Sequence, residues 1–156
     1  MKIASAMVAF ALAAAFALPA PALASGPQTF SAQCSMCHQP NGAGLAGMFP
    51  RLAGRVPALA GSPDGRRYLA MVLLYGLYGP ITVDGKRISG VMPSMGSLSD
   101  QAIADVLNHT ITLARPAPRV APFTAAEIAA VRAGARKGGS DVAAERARLA
   151  GRGLIP

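Results

Sequence analysis

The chain has 156 residues, of which 52% are hydrophobic, and it carries 15 Lys and Arg against 7 Asp and Glu, a net charge of +8. This length suits one domain with a modest core. The apolar share does not indicate a membrane protein, because much of it lies in residues 1–24 and no later run is long enough to span a bilayer. No Ser/His/acid set, phosphate-binding loop or pair of carboxylates indicates an enzyme acting alone.

Residues 1–24 have the pattern of an export signal. Lys2 provides the positive start, residues 3–18 form an apolar run, and Ala22-Leu23-Ala24 resembles a cleavage site. Cleavage would leave 156 − 24 = 132 residues with a net charge of 14 − 7 = +7. The alternative is an uncleaved membrane anchor, since the run approaches the length of a bilayer span. A cleaved signal predicts a periplasmic protein with no transmembrane span and no nucleic-acid partner.

Residues 34–38 read Cys-Ser-Met-Cys-His and hold the only two cysteines of the chain. This is the C-x-x-C-H pattern of covalent haem attachment: each thiol can form a thioether with a vinyl group, and the imidazole can ligate iron. On a helical turn, both sulfurs and the imidazole lie on one side. Phe30 precedes the two cysteines by four and seven residues, so we expect it on the same helical face as a core contact.

Other kinds of site share part of this pattern. A C-x-x-C pair also occurs in thioredoxin-type redox dithiols, in zinc sites and as a small disulfide. A zinc site needs further ligands, and the only histidine besides His38 is His109. A redox dithiol follows a strand and opens a helix, and no strand pattern precedes Cys34. The motif and the export signal together favour haem, with a haem-free thiol protein as an alternative.

Helix-breaking residues follow the motif immediately. Residues 43–63 are rich in Gly and Pro with scattered apolar side chains, which predicts a loop that wraps against an apolar group. Residues 64–78 predict a mostly buried helix. Residues 80–90 contain the pair Asp84-Gly85 between two β-prone runs, which predicts a small hairpin or turn.

Two methionines follow in a predicted loop, residues 90–95. Pro93 directs Met92 away from helical geometry, so its thioether can reach the haem face opposite the histidine. Met92 is the expected second ligand and Met95 is the alternative. A third interpretation is that both methionines only fill gaps in the core.

A last core helix is predicted from Ser99, a good N-cap residue. Ile103 and the apolar residues after it repeat at helical spacing and form one stripe. We expect this stripe to pack across the N-terminal helix around Phe30. His109 lies off the stripe, so we expect a surface or partly packed side chain, although it could replace Met92 as the sixth ligand.

The composition changes after Leu113. Residues 115–122 are rich in proline and predict a stiff linker. Residues 123–156 predict a basic extension with helices at residues 124–137 and 140–149, the first opened by a capping box. This part of the chain is either a docking element for an acidic partner surface or a loosely packed, solvated appendage.

The order of these features resembles the class I monohaem cytochromes c, and is most similar to the small periplasmic cytochromes that transfer electrons for bacterial dehydrogenases. The resemblance covers residues 29–113 and implies an all-α fold around one covalent haem c. It implies that Cys34 and Cys37 hold the haem, and that His38 and Met92 ligate the iron.

The resemblance gives further residues expected roles. Pro50 matches the family proline whose carbonyl accepts a hydrogen bond from the axial imidazole and so orients the ring. Arg51 and Arg55 are expected near the haem propionates. The family usually has an aromatic residue in place of His109, which is where this chain departs from the pattern.

The sequence therefore predicts an all-α domain, residues 25–114, that carries electrons and is not an enzyme. It would exchange single electrons with a dehydrogenase, a terminal oxidase or another cytochrome through His/Met-ligated haem iron. One alternative is a tightly bound cytochrome subunit of a periplasmic dehydrogenase. Another is a haem protein with an open distal site that binds a gas or reduces peroxide.

Overall fold

The computed structural model describes residues 25–116, 119–135 and 137–155, so the expected export signal lies outside the described residues. Within that part of the chain, seven helices and one two-stranded sheet surround a hydrophobic core. No helix among these residues is both long and apolar enough to cross a membrane. In chain order the elements are α1 (Gly26–Gln33), α2 (Ser35–His38), α3 (Arg55–Ala60), α4 (Pro63–Tyr75), β1 (Leu77–Val83), β2 (Lys86–Met92), α5 (Asp100–Thr112), α6 (Ala125–Arg132) and α7 (Gly139–Gly151).

Helices α1 and α5 pack against each other. The stripe of α5 is buried, and Ile103 within it is 0% exposed. Phe30 of α1 is buried too, and the His109 ring meets it edge-on with 5.1 Å between centroids. The two helices can approach closely because Gly26 has no side chain: a Cβ there would lie 2.2 Å from the Asp105 carbonyl oxygen. The predicted packing around Phe30 is confirmed, and His109 is partly packed.

Three helical segments differ from the sequence prediction. The first helix is interrupted at Cys34, which lies between α1 and α2. The predicted loop over residues 43–63 contains the short helix α3, which buries Val56 in the core. Helix α4 ends at Tyr75, three residues early, because Gly76 takes φ 78° and ψ −175°, a conformation open to glycine, before the chain enters β1.

Strands β1 and β2 form an antiparallel hairpin in which Leu77 pairs with Met92. Its turn is Asp84-Gly85, with φ of 49° and 71°. A two-residue turn of this type needs positive φ at both positions, which Asp tolerates and Gly favours. The hairpin is thus confirmed, but its second strand runs to Met92, so the loop predicted over residues 90–95 begins later. The all-α prediction is corrected accordingly: the fold is mostly helical with one small sheet.

Helices α6 and α7 complete the core. Ile128, Val142 and Leu149 are each 0% exposed and belong to the same cluster as the buried residues of α4 and α5. Helix α6 contacts α4 and α5, and α7 contacts α4 and β1. Of the two interpretations of this extension, the loosely packed appendage is therefore wrong. Helix α6 also ends earlier than predicted, at Arg132, and α7 extends over Gly139–Gly151.

Candidate cofactor site

Cys34 lies at the junction of α1 and α2, and Cys37 and His38 lie on the single turn of α2. The amides of Cys37 and His38 donate to the Cys34 carbonyl at 3.2 and 2.9 Å. This turn brings both sulfurs and the imidazole to one cleft, which all three residues line. Burial, with the charge of Cys37 as a second cause, raises the pKa of Cys34 to about 11. Both cysteines are free thiols, so both sulfurs are available to a group in the cleft.

The His38 ring is held in one orientation. Its residue is 7% exposed, and Nδ1 lies 2.9 Å from the Pro50 carbonyl oxygen. A carbonyl can only accept, so the proton resides on Nδ1 and Nε2 keeps its lone pair. Burial lowers the pKa of His38, and the hydrogen bond to Pro50 opposes this shift. The ring is therefore suited to ligate a metal through Nε2.

The cleft has a volume of about 770 Å³, counted with its open mouth. Met48 and Val91 line the cleft and are 56% and 70% exposed, so they form an apolar rim at its mouth. Its walls consist of Gln33, Cys34, Cys37, His38, Met48, Phe49, Pro50, Leu77, Gly79, Ile81, Ile88, Gly90, Val91, Met92, Pro93 and Met95.

Both candidate methionines line the same cleft as His38. Met92 ends β2 and packs on the core. The Met95 amide donates to the Leu73 carbonyl at 2.7 Å, and the Ser94 hydroxyl donates to the Leu74 carbonyl at 2.6 Å. The end of α4 thus holds the segment that carries the two thioethers.

Comparisons with known proteins account for this arrangement. Residues 21–109 match the family model described as "Cytochrome C oxidase, cbb3-type, subunit III". A cytochrome c-552 of Thermus thermophilus is 46% identical over 130 residues, which cover 81% of this chain and 85% of that protein. This chain belongs to the cytochrome c family.

Two further relatives differ in the share of their own length that aligns with this chain. A second cytochrome c-552 of Thermus thermophilus is 50% identical over 105 residues, or 80% of that protein. The cytochrome c subunit of an alcohol dehydrogenase (quinone) of Gluconacetobacter polyoxogenes is 37% identical over 89 residues, but these are only 18% of that protein. Family membership makes this chain an electron-transfer protein with redox partners, not an enzyme, and its cofactor is covalently bound haem c with iron.

The residues in the cleft fit that cofactor. Two free thiols three residues apart suit two thioether bonds, and the buried imidazole offers one free nitrogen. The two thioethers on the segment after β2 are soft donors for iron. Apolar walls suit the macrocycle, which would supply core to a small domain.

Arg51 and Arg55, the residues expected near the propionates, both meet Asp84 at the tip of the hairpin. Arg51 donates to the two carboxylate oxygens at 2.9 Å each, and Arg55 donates to one of them at 3.4 Å. The hydrogen bond from Arg51, together with the charges of both arginines, holds the pKa of Asp84 below its usual range. Asp84 therefore ties the hairpin to the segment that follows Pro50.

Two buried members of this cluster, Arg146 and Tyr68, are not predicted by the sequence. Arg146 of α7 is 8% exposed and donates to the Thr82 carbonyl at 2.7 Å. Burial lowers the pKa of Arg55, and the charge of Arg146 lowers it further. Burial raises the pKa of Tyr68, and the charge and hydrogen bond of Arg146 oppose this shift. The signal for Arg146 was its spacing, because it lies four residues after one buried residue of α7 and three before another.

Proposed function

We propose that this cytochrome is a periplasmic carrier that moves single electrons between redox protein partners. It does so through one haem c bound to Cys34 and Cys37, with His38 and Met92 as axial ligands. The observation that carries the proposal is the cleft in which these four side chains meet. When bound, the haem supplies a one-electron couple between ferric and ferrous iron.

The ligand residues have different tasks. The Pro50 carbonyl fixes the His38 ring and raises its basicity as a ligand. A thioether from Met92 favours the reduced metal, because soft sulfur raises the reduction potential. If His38 and Met92 both hold the iron, no substrate would need to bind it.

The arginine cluster suits the polar edge of the cofactor. Arg51 and Arg55 both pair with the single carboxylate of Asp84, and the positive charge of Arg146 acts on Arg55. This group of arginines has more positive charge than one carboxylate neutralises, so it can also bind the two propionates of a haem. We therefore assign Arg51 and Arg55 to the propionate side, with Arg146 behind them.

The exposed apolar rim of the cleft is the proposed point of electron exchange. Met48 and Val91 lie on the cleft and face water, and Met36 between the two cysteines is 86% exposed. An apolar rim around a redox site allows close approach of a partner with little desolvation cost.

A charge on this rim is expected to slow electron exchange between two copies of the protein. In Val91→Lys, two ammonium groups meet when the rims approach, so the self-exchange rate should fall roughly tenfold, or about 1.4 kcal/mol. The rate is measured by NMR line broadening in mixtures of the ferric and ferrous protein. Ala126→Lys adds the same charge at an exposed position of α6 and should leave the rate nearly unchanged. Equal slowing in both variants would mean that net charge, not the rim, controls the exchange.

The axial ligation is tested by optical spectra of oxidised and reduced protein. We expect a weak near-infrared sulfur-to-iron band that is lost in Met92→Ala and kept in Met95→Ala. Ferrous Met92→Ala should then bind carbon monoxide rapidly. A band lost only in Met95→Ala would exchange the two assignments. A wild type without the band but with rapid carbon monoxide binding would favour the gas-binding alternative.

We further propose that residues 1–24 are removed on export. We also propose that residues 25–114, 115–122 and 123–156 are a haem domain, a linker and an extension that fold together. The core that both larger parts share supports treating them as one folding unit. N-terminal sequencing of the periplasmic protein should begin near Ser25, and an intact N-terminus in the membrane fraction would favour the anchor.

A second candidate function is that of a tightly bound dehydrogenase subunit. The observation that favours it is the similarity to the alcohol dehydrogenase cytochrome subunits. Purification from the native membrane and periplasm at low salt distinguishes the two. A free carrier elutes alone, whereas a subunit elutes with a stoichiometric partner.

A further inference from the structure

Arg132, the last residue of α6, directs three guanidinium nitrogens at the segment that follows Met95. Nη1 donates to the Gly96 carbonyl at 2.7 Å, and Nη2 donates to the Leu98 carbonyl at 2.8 Å. Nε donates to the Asp100 carboxylate at 2.7 Å. One side chain thus binds three acceptors that lie after Met95, the last of them on the first residue of α5.

These contacts complete a two-sided support. On one side, the carbonyls at the end of α4 bind the Met95 amide and the Ser94 hydroxyl. On the other side, Arg132 binds the carbonyls just beyond. The Leu98 amide donates to the Met95 carbonyl at 3.0 Å, so the segment that Arg132 binds is linked directly to the backbone of Met95, three residues after the proposed ligand Met92. The planar guanidinium loses little freedom in making these bonds, which fixes their geometry.

Helix α6 is itself anchored, so Arg132 acts from a fixed base. Ile128 is fully buried, and the Tyr75 hydroxyl donates to the Val131 carbonyl at 3.1 Å. At the other end of α6, Arg66 pairs with Glu127 at 2.8 Å. A displacement of the methionine segment would therefore require breaking contacts to a rigid part of the core.

We infer that Arg132 is a positioning residue for the sulfur ligand: it holds residues 96–98 and so limits how often the methionine sulfur leaves the iron. The inference rests on the proposed methionine ligation. It gives the C-terminal extension a part in the redox site that is separate from its part in the core. Arg132 does not line the cofactor cleft, and it reaches the segment after Met95 through the carbonyls of Gly96 and Leu98.

The test is the rate at which imidazole binds the ferric protein. At saturating imidazole this rate equals the rate of sulfur dissociation, because the iron must first lose its methionine. Arg132→Gln should raise the limiting rate about tenfold, since it removes the charge-assisted bonds to two carbonyls. Arg132→Lys keeps the charge and the helix but has one nitrogen for three acceptors, so we expect an intermediate rise in the rate. This second variant provides the test if the glutamine variant does not fold.

Two controls separate positioning from stability. Arg148→Gln removes the same charge from α7, where Arg148 pairs with Glu145, and should leave the rate unchanged. Val142→Ala lowers the stability of the core but lies in another helix, and it too should leave the rate unchanged. The inference is overturned if both Arg132 variants bind imidazole at the wild-type rate while wild type shows the sulfur-to-iron band. Absence of that band from wild type would instead overturn the proposed ligation.

Discussion

Ile128→Ala is expected to lower the free energy of unfolding by about 2–5 kcal/mol, although the residue lies outside the segment that carries the haem motif. Ile128 is 0% exposed and belongs to the central core. Its removal leaves a cavity between α6 and its neighbours α4 and α5. Guanidinium unfolding of the ferric protein, followed by far-ultraviolet circular dichroism and by haem absorbance, measures the loss.

The matched control is Leu45→Ala, which truncates an apolar side chain that is 49% exposed and does not line the cofactor cleft. Its effect should stay within about 0.5 kcal/mol. The two probes should also report one transition, because Ile128 of α6 shares its core with Leu77 and Met92, which line the haem cleft. Two separate transitions, or an Ile128→Ala midpoint equal to that of wild type, would show that the extension folds independently of the domain.

Gly26→Ala should destabilise the protein by about 1–3 kcal/mol or more. A Cβ at this position would lie 2.2 Å from the carbonyl oxygen and 2.7 Å from the carbonyl carbon of Asp105, both of them backbone atoms that cannot rotate away. Helix propensity alone predicts the opposite sign, since alanine favours a helix over glycine by about 1 kcal/mol. The sign of the change therefore reports the close contact between α1 and α5.

The comparison for this prediction is Gly151→Ala. Gly151 ends α7, and a Cβ there would meet nothing within 4 Å. This variant should be as stable as wild type or slightly more stable. Thermal unfolding of the two variants in parallel would refute the contact if Gly26→Ala also proved neutral or stabilising.

The sequence predicted best the features that depend on neighbouring residues. The spacing of the C-x-x-C-H motif places Cys34, Cys37 and His38 within one turn wherever that turn lies in the fold. The positive-φ preference of Asp84-Gly85 fixes a two-residue hairpin. These are local effects of backbone geometry, so they can be identified without knowledge of the tertiary structure.

The features that the sequence did not predict depend on distant contacts. The neighbouring sequence does not indicate which carbonyls Arg132 and Arg146 bind. The carbonyls bound by Arg132 lie 34 and 36 residues away in the chain, and the one bound by Arg146 lies 64 residues away. The Pro-rich segment before α6 suggested a boundary between units, whereas buried contacts of α6 and α7 join them. Helix α3 was hidden by Gly and Pro on either side of a short apolar run.

The late position of α7 in the chain affects the order in which the protein is made. Leu149, a core residue of α7, follows His38 by 149 − 38 = 111 residues. A chain is synthesised from its N-terminus, so the two thiols emerge long before the last helices can dock. Haem can therefore be attached while the core is still open and the cysteines are accessible. The thioether bonds would then retain the cofactor during the interval in which the core is still incomplete.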